Sequence, residues 1–157
     1  MSTFERDNYQ WRETYFVLFE SGRRPSLENV RKTIAALGEN FQLIEPTAEE
    51  DGGFESVTVL APDDFAAVDI SYLSGEDAST ESTRLAKELG SSLDAGTRRR
   101  LLACDARLDL MHFEQVMEEA GAEPDEAFDP SALLMVLEAL VSLTDGIGVD
   151  PQSGSIM

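Results

Sequence analysis

Apolar residues along the chain fall into runs whose spacing separates strands from helices. Tyr15 to Phe19 is an unbroken aromatic and branched run stopped by Glu20-Ser21-Gly22, the pattern of a strand covered on both faces. After Pro25, the residues Leu27, Val30, Ile34 and Leu37 recur three and four apart, with Ser26 as N-cap, Glu28 in the first turn and Gly38 at the stop. That predicts a helix with one face laid on a sheet. Three short strands are expected next, over 41–45, 54–60 and 67–73, separated by the turn-rich stretches 46–53 and 61–64. In the last of them Val68, Ile70 and Tyr72 alternate with Ala67, Asp69 and Ser71, a period of two with one wet face.

A second helix is expected from near Ser79, with Leu85, Ala86 and Leu89 as its buried edge and Gly90 near its end, and a shorter one over 97–104. Residues 106–116 fit two templates. Leu108 and Leu110 alternate with Met111 and Phe113 as in a strand, whereas Leu108, Met111 and Gln115 would share a helix face; the strand reading is preferred. The stretch 118–128 is acidic, holds Gly121 and Pro124, has no apolar period and reads as a solvated loop. Asp129 as N-cap, Pro130 at the first helical position, a nearly all-apolar body from Ala132 to Leu143 and Gly146 beyond the end then define a helix buried on most sides. Ile147 to Val149 form a last short strand, closed by a turn over 150–154.

Helices interleaved with short strands, several in hairpins, indicate an α+β domain. The specific expectation is a two-layer sandwich, a ferredoxin-like open sheet with helices on one face plus additional elements. No repeat or linker divides the chain, so residues 1–157 read as one domain, with 1–12 as a flexible or peripheral N-terminal segment.

Charge narrows the function classes. Twelve basic against 31 acidic residues leave a formal net charge of −19, a poor match for nucleic acid or an anionic membrane, whose affinity comes from Lys and Arg meeting phosphates. Every charged residue after Arg107 is acidic, and Glu118, Glu119, Glu123, Asp125, Glu126 and Asp129 crowd into one stretch. The one cysteine, Cys104, permits no intrachain disulfide, and the N-terminus lacks the basic start and apolar run of a signal peptide. The longest apolar stretch, within 132–141, is broken by Glu138 and falls short of the roughly 20 residues that cross a bilayer. A cytoplasmic protein is the expectation.

Common catalytic frameworks are missing from the sequence: no phosphate-cradling glycine loop, no His-Glu-x-x-His, no cysteine pair and no Gly-x-Ser-x-Gly elbow. Asp105, Asp109 and His112 would share one side of a helix and could hold a metal there, but a strand scatters them, so neither metal nor cofactor is expected. On a strand His112 and Glu114 project from one face, where an imidazole beside a carboxylate is the minimal acid/base pair; with Asp69 they are the candidate catalytic residues, against a simpler role as hydrogen-bonded structural groups. Asp63, Asp64 and Asp69 have the oxygen ligands a hard cation prefers, yet Pro62-Asp63-Asp64 is ordinary turn chemistry. Arg98, Arg99 and Arg100 fan over about 200° of a helix and cannot all face one ligand, which favours a solvated edge offsetting nearby carboxylates.

The closing stretch, an apolar helix followed by Thr144-Asp145-Gly146 and Ile147-Gly148-Val149-Asp150-Pro151-Gln152-Ser153-Gly154, resembles the ending of certain uncharacterised bacterial α+β domains over about 25 residues. The resemblance implies a strand and an Asp-Pro-Gln turn that close the sheet, and no catalytic role.

Two functional readings follow. The first is a non-enzymatic interaction or regulatory module that meets a basic protein partner through Glu118, Glu119, Glu123, Asp125 and Glu126. The second is a small enzyme or ligand-binding protein with a site on the sheet face near His112. An open sheet face or edge would also allow self-association into a homo-oligomer.

Overall fold

A computed structural model of the chain describes residues 9–61, 66–115, 131–151, 153, 155 and 156. Seven strands, β1 (Tyr9–Phe19), β2 (Gln42–Ala48), β3 (Phe54–Ala61), β4 (Ala66–Ser74), β5 (Ala106–Gln115), β6 (Ile147–Asp150) and β7 (Ser155–Ile156), form one sheet in the order β2-β3-β4-β5-β1-β6-β7. Every pairing is antiparallel. Among the described residues four α-helices accompany it: α1 (Leu27–Ala35), α2 (Glu76–Leu89), α3 (Ala95–Ala103) and α4 (Ser131–Thr144). This is an α+β sandwich on an open sheet, with residues 106–115 a strand as the alternating pattern predicts. Among the described residues no helix is long and apolar enough to cross a membrane.

The sheet carries helices on both faces, which corrects the expectation of helices on one face only. Val17 and Phe19 of β1, with Leu108, Leu110, Val68, Ile70, Val57 and Val59, point to the first face and pack with Val30 and Ile34 of α1 and Leu133, Val136, Leu137 and Leu140 of α4. Leu18, one residue out of phase, points to the second face and packs with Leu85 and Ala86 of α2, Leu101 of α3, Cys104, Ile147 and Val149. The unbroken apolar run of β1 is the direct consequence, because a strand covered on both faces has no wet side chain to offer. The strand order also differs from the ferredoxin-like one. Among the described residues no crossover sets two neighbouring strands parallel, and the strands flanking each helix are separated in the sheet or paired antiparallel.

Ser26 caps α1 as expected, its hydroxyl accepting from the Asn29 amide at 3.1 Å, and Asp94 caps α3 in the same way through the Thr97 amide at 2.6 Å. The end of α4 has a different logic from the glycine stop suggested by sequence. Asp145 holds the left-handed conformation (φ 52°), and the Gly146 amide bonds back to the Val141 carbonyl at 3.0 Å, a Schellman closure with aspartate in the usual glycine position. Gly146 is needed for space: a Cβ there would lie 2.7 Å from the Leu18 carbonyl oxygen.

Two further differences concern strands. β1 begins at Tyr9, so residues 9–12 belong to the sheet and are not peripheral. β2 continues through Pro46, which sequence placed in a turn; the register shifts between Ile44 and Thr47, and Glu45 takes φ 50°. A bulge at a proline on an edge strand blunts the open edge against pairing with another chain.

Candidate functional site

Strand pairing decides which polar residues meet. His112 is opposite Glu13 on β1 and Val68 on β4, while Asp69 is opposite Met111. His112 and Glu114, two apart on β5, therefore share the first face, as sequence suggested, and Asp69 lies on the second. The catalytic candidates do not converge: the sheet itself separates Asp69 from the other two.

The group on the first face is larger than the sequence indicated. The β1 register shifts between Trp11 and Glu13, leaving Arg12 as the extra residue of a bulge, and Arg12 Nε lies 3.3 Å from Glu114 Oε2. A bulge re-aims a side chain in this way. Glu13 Oε1 lies 3.8 Å from His112 Nδ1, too long for a hydrogen bond. His112 is 1% exposed. Burial first, and the positive charge of Arg12 second, press its pKa down to about 4, so the imidazole is neutral at pH 7. Burial raises the Glu13 carboxyl and the Tyr15 phenol.

Acid/base chemistry needs the imidazole within hydrogen-bond reach of a substrate proton. His112 is packed in the sheet layer at 1% exposure, and among the described residues its polar neighbours include the Glu13 carboxylate and the Arg12 guanidinium, itself paired to Glu114. The arrangement sets an ion pair, Arg12 with Glu114, beside a neutral imidazole and the Glu13 carboxylate on the β1–β5 ladder.

On the second face, Arg107 Nε forms an ion pair with Asp109 Oδ1 at 2.7 Å, and its guanidinium carbon lies 4.5 Å from the centre of the Phe16 ring. Thr58 donates a long hydrogen bond of 3.4 Å to Asp69. Burial raises the pKa of both Asp69 and Asp109, opposed respectively by the Thr58 bond and by Arg107. Between these groups the face is exposed. Met111 is 37% and Trp11 49% accessible, and the Trp11 indole donates to the Thr14 hydroxyl at 3.1 Å. Thr14 is the cross-strand partner of Met111, so indole, thioether and the two carboxylates lie on one surface.

The other candidates disperse. Asp105 accepts from the Ser21 amide at 2.7 Å and its hydroxyl at 2.9 Å, which hold its carboxyl below the usual range. It locks the β1 exit, far in role from Asp109 on the second face and His112 on the first. Asp63 and Asp64, and the acidic Glu118, Glu119, Glu123, Asp125, Glu126 and Asp129, lie outside the described residues. Arg100 donates to the Asp145 carbonyl at 2.9 Å, offsetting that residue as expected, whereas Arg99 makes no hydrogen bond or ion pair with a described residue. Sequence reasoning missed Arg12, Glu13 and Trp11, since the bulge that sorts them onto opposite faces has no signature in residue type.

Comparison with protein-family models, curated proteins and solved structures returns no match.

Proposed function

We propose that the chain is a non-enzymatic interaction module, working in the cytoplasm, that takes a basic protein partner on the second face of its sheet. The observation that carries this reading is the exposed pair Trp11 and Met111, set beside Asp69 and Asp109 on a strongly acidic protein. Large apolar side chains rimmed by polar groups are what interaction surfaces expose, and Trp is enriched among residues that dominate binding energy. The hydrogen bond to Thr14 holds the indole before a partner arrives, which lowers the ordering cost of binding. An Arg or Lys stacked on the indole and facing the carboxylates would use both features.

A second copy of this chain is a poorer occupant, because it would bring another −19 of charge against the same carboxylates. The acidic residues Glu118, Glu119, Glu123, Asp125 and Glu126, which follow β5 in sequence, extend the attraction for a basic partner in this reading. An enzymatic site near His112 has less support, since that imidazole is sealed.

The test is capture from a lysate of the source cells with wild-type protein and with Trp11→Ser, Met111→Ser. The expected result is one basic protein held by the wild type and lost from the double variant at an unchanged unfolding midpoint. Equal recovery by both would contradict the proposal.

A further inference from the structure

The three consecutive arginines of α3 do not share one role. Arg100 Nη2 donates to the Asp145 carbonyl at 2.9 Å and lies 4.0 Å from its carboxylate. Arg98 and Arg99 are exposed and make no hydrogen bond or ion pair with a described residue. The chain has 31 acidic against 12 basic residues, and Arg12, Arg24, Arg84 and Arg107 each have a carboxylate oxygen within 3.3 Å. Two adjacent guanidiniums left without one stand out against that background.

Leu102 follows Arg98 by four positions and Arg99 by three, so the three side chains are neighbours on one side of the helix. Leu102 is 50% exposed. With the half-buried Leu93 and the small Gly90 and Ala95 they line a shallow groove of about 440 Å³. That lining carries two guanidiniums and no carboxylate. Asp94, beside it in sequence, is turned to the backbone, its carboxylate accepting from the Thr97 amide at 2.6 Å. Even with Asp94 counted, the groove keeps a positive balance on a chain whose net charge is −19.

From this geometry we infer that the groove docks an acidic segment of a protein partner, with carboxylates on Arg98 and Arg99 and an apolar side chain on Leu102 and Leu93. The guanidinium fork suits a planar carboxylate, and an exposed leucine beside it gives the segment an apolar anchor. Arg98, Arg99 and Leu102 are all exposed, which fits a chain segment laid across them better than a small molecule that must be enclosed. Two guanidiniums are too few for nucleic acid, whose affinity grows with the number of phosphates neutralised, and the rest of the chain repels it. A short acidic segment escapes most of that repulsion, because charges beyond roughly 8 Å are largely screened at physiological ionic strength. Leu101 of α3 packs with Leu18 near the end of β1, whereas Trp11 stands near its start, so this site does not depend on the surface proposed for a basic partner.

The experiment titrates three probes into the isotopically labelled full chain at pH 7 while backbone amide resonances are followed. They are a short synthetic peptide of Glu and Leu, the same peptide with every Glu replaced by Gln, and a short oligothymidylate. Saturable shifts at Leu93, Arg99 and Leu102 are expected with the acidic peptide. Binding should be about fivefold weaker for the Gln peptide and for Arg98→Gln with Arg99→Gln, and about tenfold weaker in Leu102→Ser. The replaced side chains are exposed, so the unfolding midpoint of each variant should stay unchanged. Oligothymidylate should leave these resonances in place. Equal binding of the two peptides, wild-type affinity in either variant, saturable shifts with oligothymidylate, or no shift at these residues up to the solubility limit of the acidic peptide would each overturn the inference.

Discussion

His112 and Glu13 face each other across β5 and β1 with Nδ1 and Oε1 3.8 Å apart, a histidine and a carboxylate held close without the proton that would make them an ion pair. Burial withholds that proton, and Arg12 repels it further. His112 is the single histidine of the chain, so its titration can be followed by NMR without assignment ambiguity. It should titrate near pH 4 in the folded protein. Arg12→Met should move that value upward by removing the repelling charge. A folded-state value near the ordinary 6.5 would contradict the packing described.

The same depression makes a linkage prediction. Below its unfolded-state pKa of about 6.5 the imidazole takes up a proton when unfolded but not when folded. Its contribution to stability is therefore present above pH 6.5 and lost as pH falls toward about 4, by about 3 kcal/mol at most. Glu13, Asp69 and Asp109, whose pKa values are raised, work in the opposite direction. Urea unfolding of wild type and His112→Gln at several pH values separates the two effects. The wild type should lose stability relative to the variant across this window, and parallel curves would count against it.

α4 tests the core. Leu137 is buried among β-sheet residues of the first face, and Leu137→Asp would place a carboxylate there at a cost of several kcal/mol, against a total stability of about 5–15 kcal/mol. Loss of the cooperative unfolding transition is expected; an unchanged midpoint would remove α4 from the core.

Gly146 and Leu18 test the turn beyond it. Gly146→Ala should destabilise by about 1–3 kcal/mol, because the new methyl meets a backbone carbonyl that cannot move aside. Thermal unfolding of the variant decides this, and an effect below a few tenths of a kcal/mol would show that the turn has slack.

Much of the architecture was legible in residue pattern because packing imposes it. Ser26 is read as a cap, 67–73 as a half-wet strand and 106–116 as a strand because each period matches one buried face, and the structure has β4 at Ala66–Ser74 and β5 at Ala106–Gln115. What was hidden depends on long-range pairing. The first half of β1, Gln10 to Thr14, is mostly polar and contains the bulge, so its alternation is broken and it does not read as a strand. The buried edges Leu85 and Leu101 show that α2 and α3 pack on something, but not on which face of the sheet. His112 and Glu114 were placed together by their spacing alone; Arg12 and Glu13 joined them only through the register of β1.

If a basic partner is attracted by the acidic residues after β5, its association rate should fall steeply with salt, since exposed charges act over a Debye length of about 8 Å at physiological ionic strength. Glu123→Lys with Glu126→Lys should slow association and flatten that dependence while leaving the fold intact. Stopped-flow or surface-binding kinetics at low and high salt measure both. Salt-independent association in the wild type would leave those residues without a role in capture.

Trp11 is the only tryptophan in the chain, so its indole N–H resonance and its fluorescence report on the proposed docking surface and nothing else in this protein. The most direct measurement adds the captured basic partner, in a form lacking tryptophan, to the full chain and follows both signals. The account predicts a shifted indole resonance and a blue-shifted emission that saturate at the dissociation constant found by an independent binding assay. A partner that binds with full affinity while both Trp11 signals stay unchanged would contradict it.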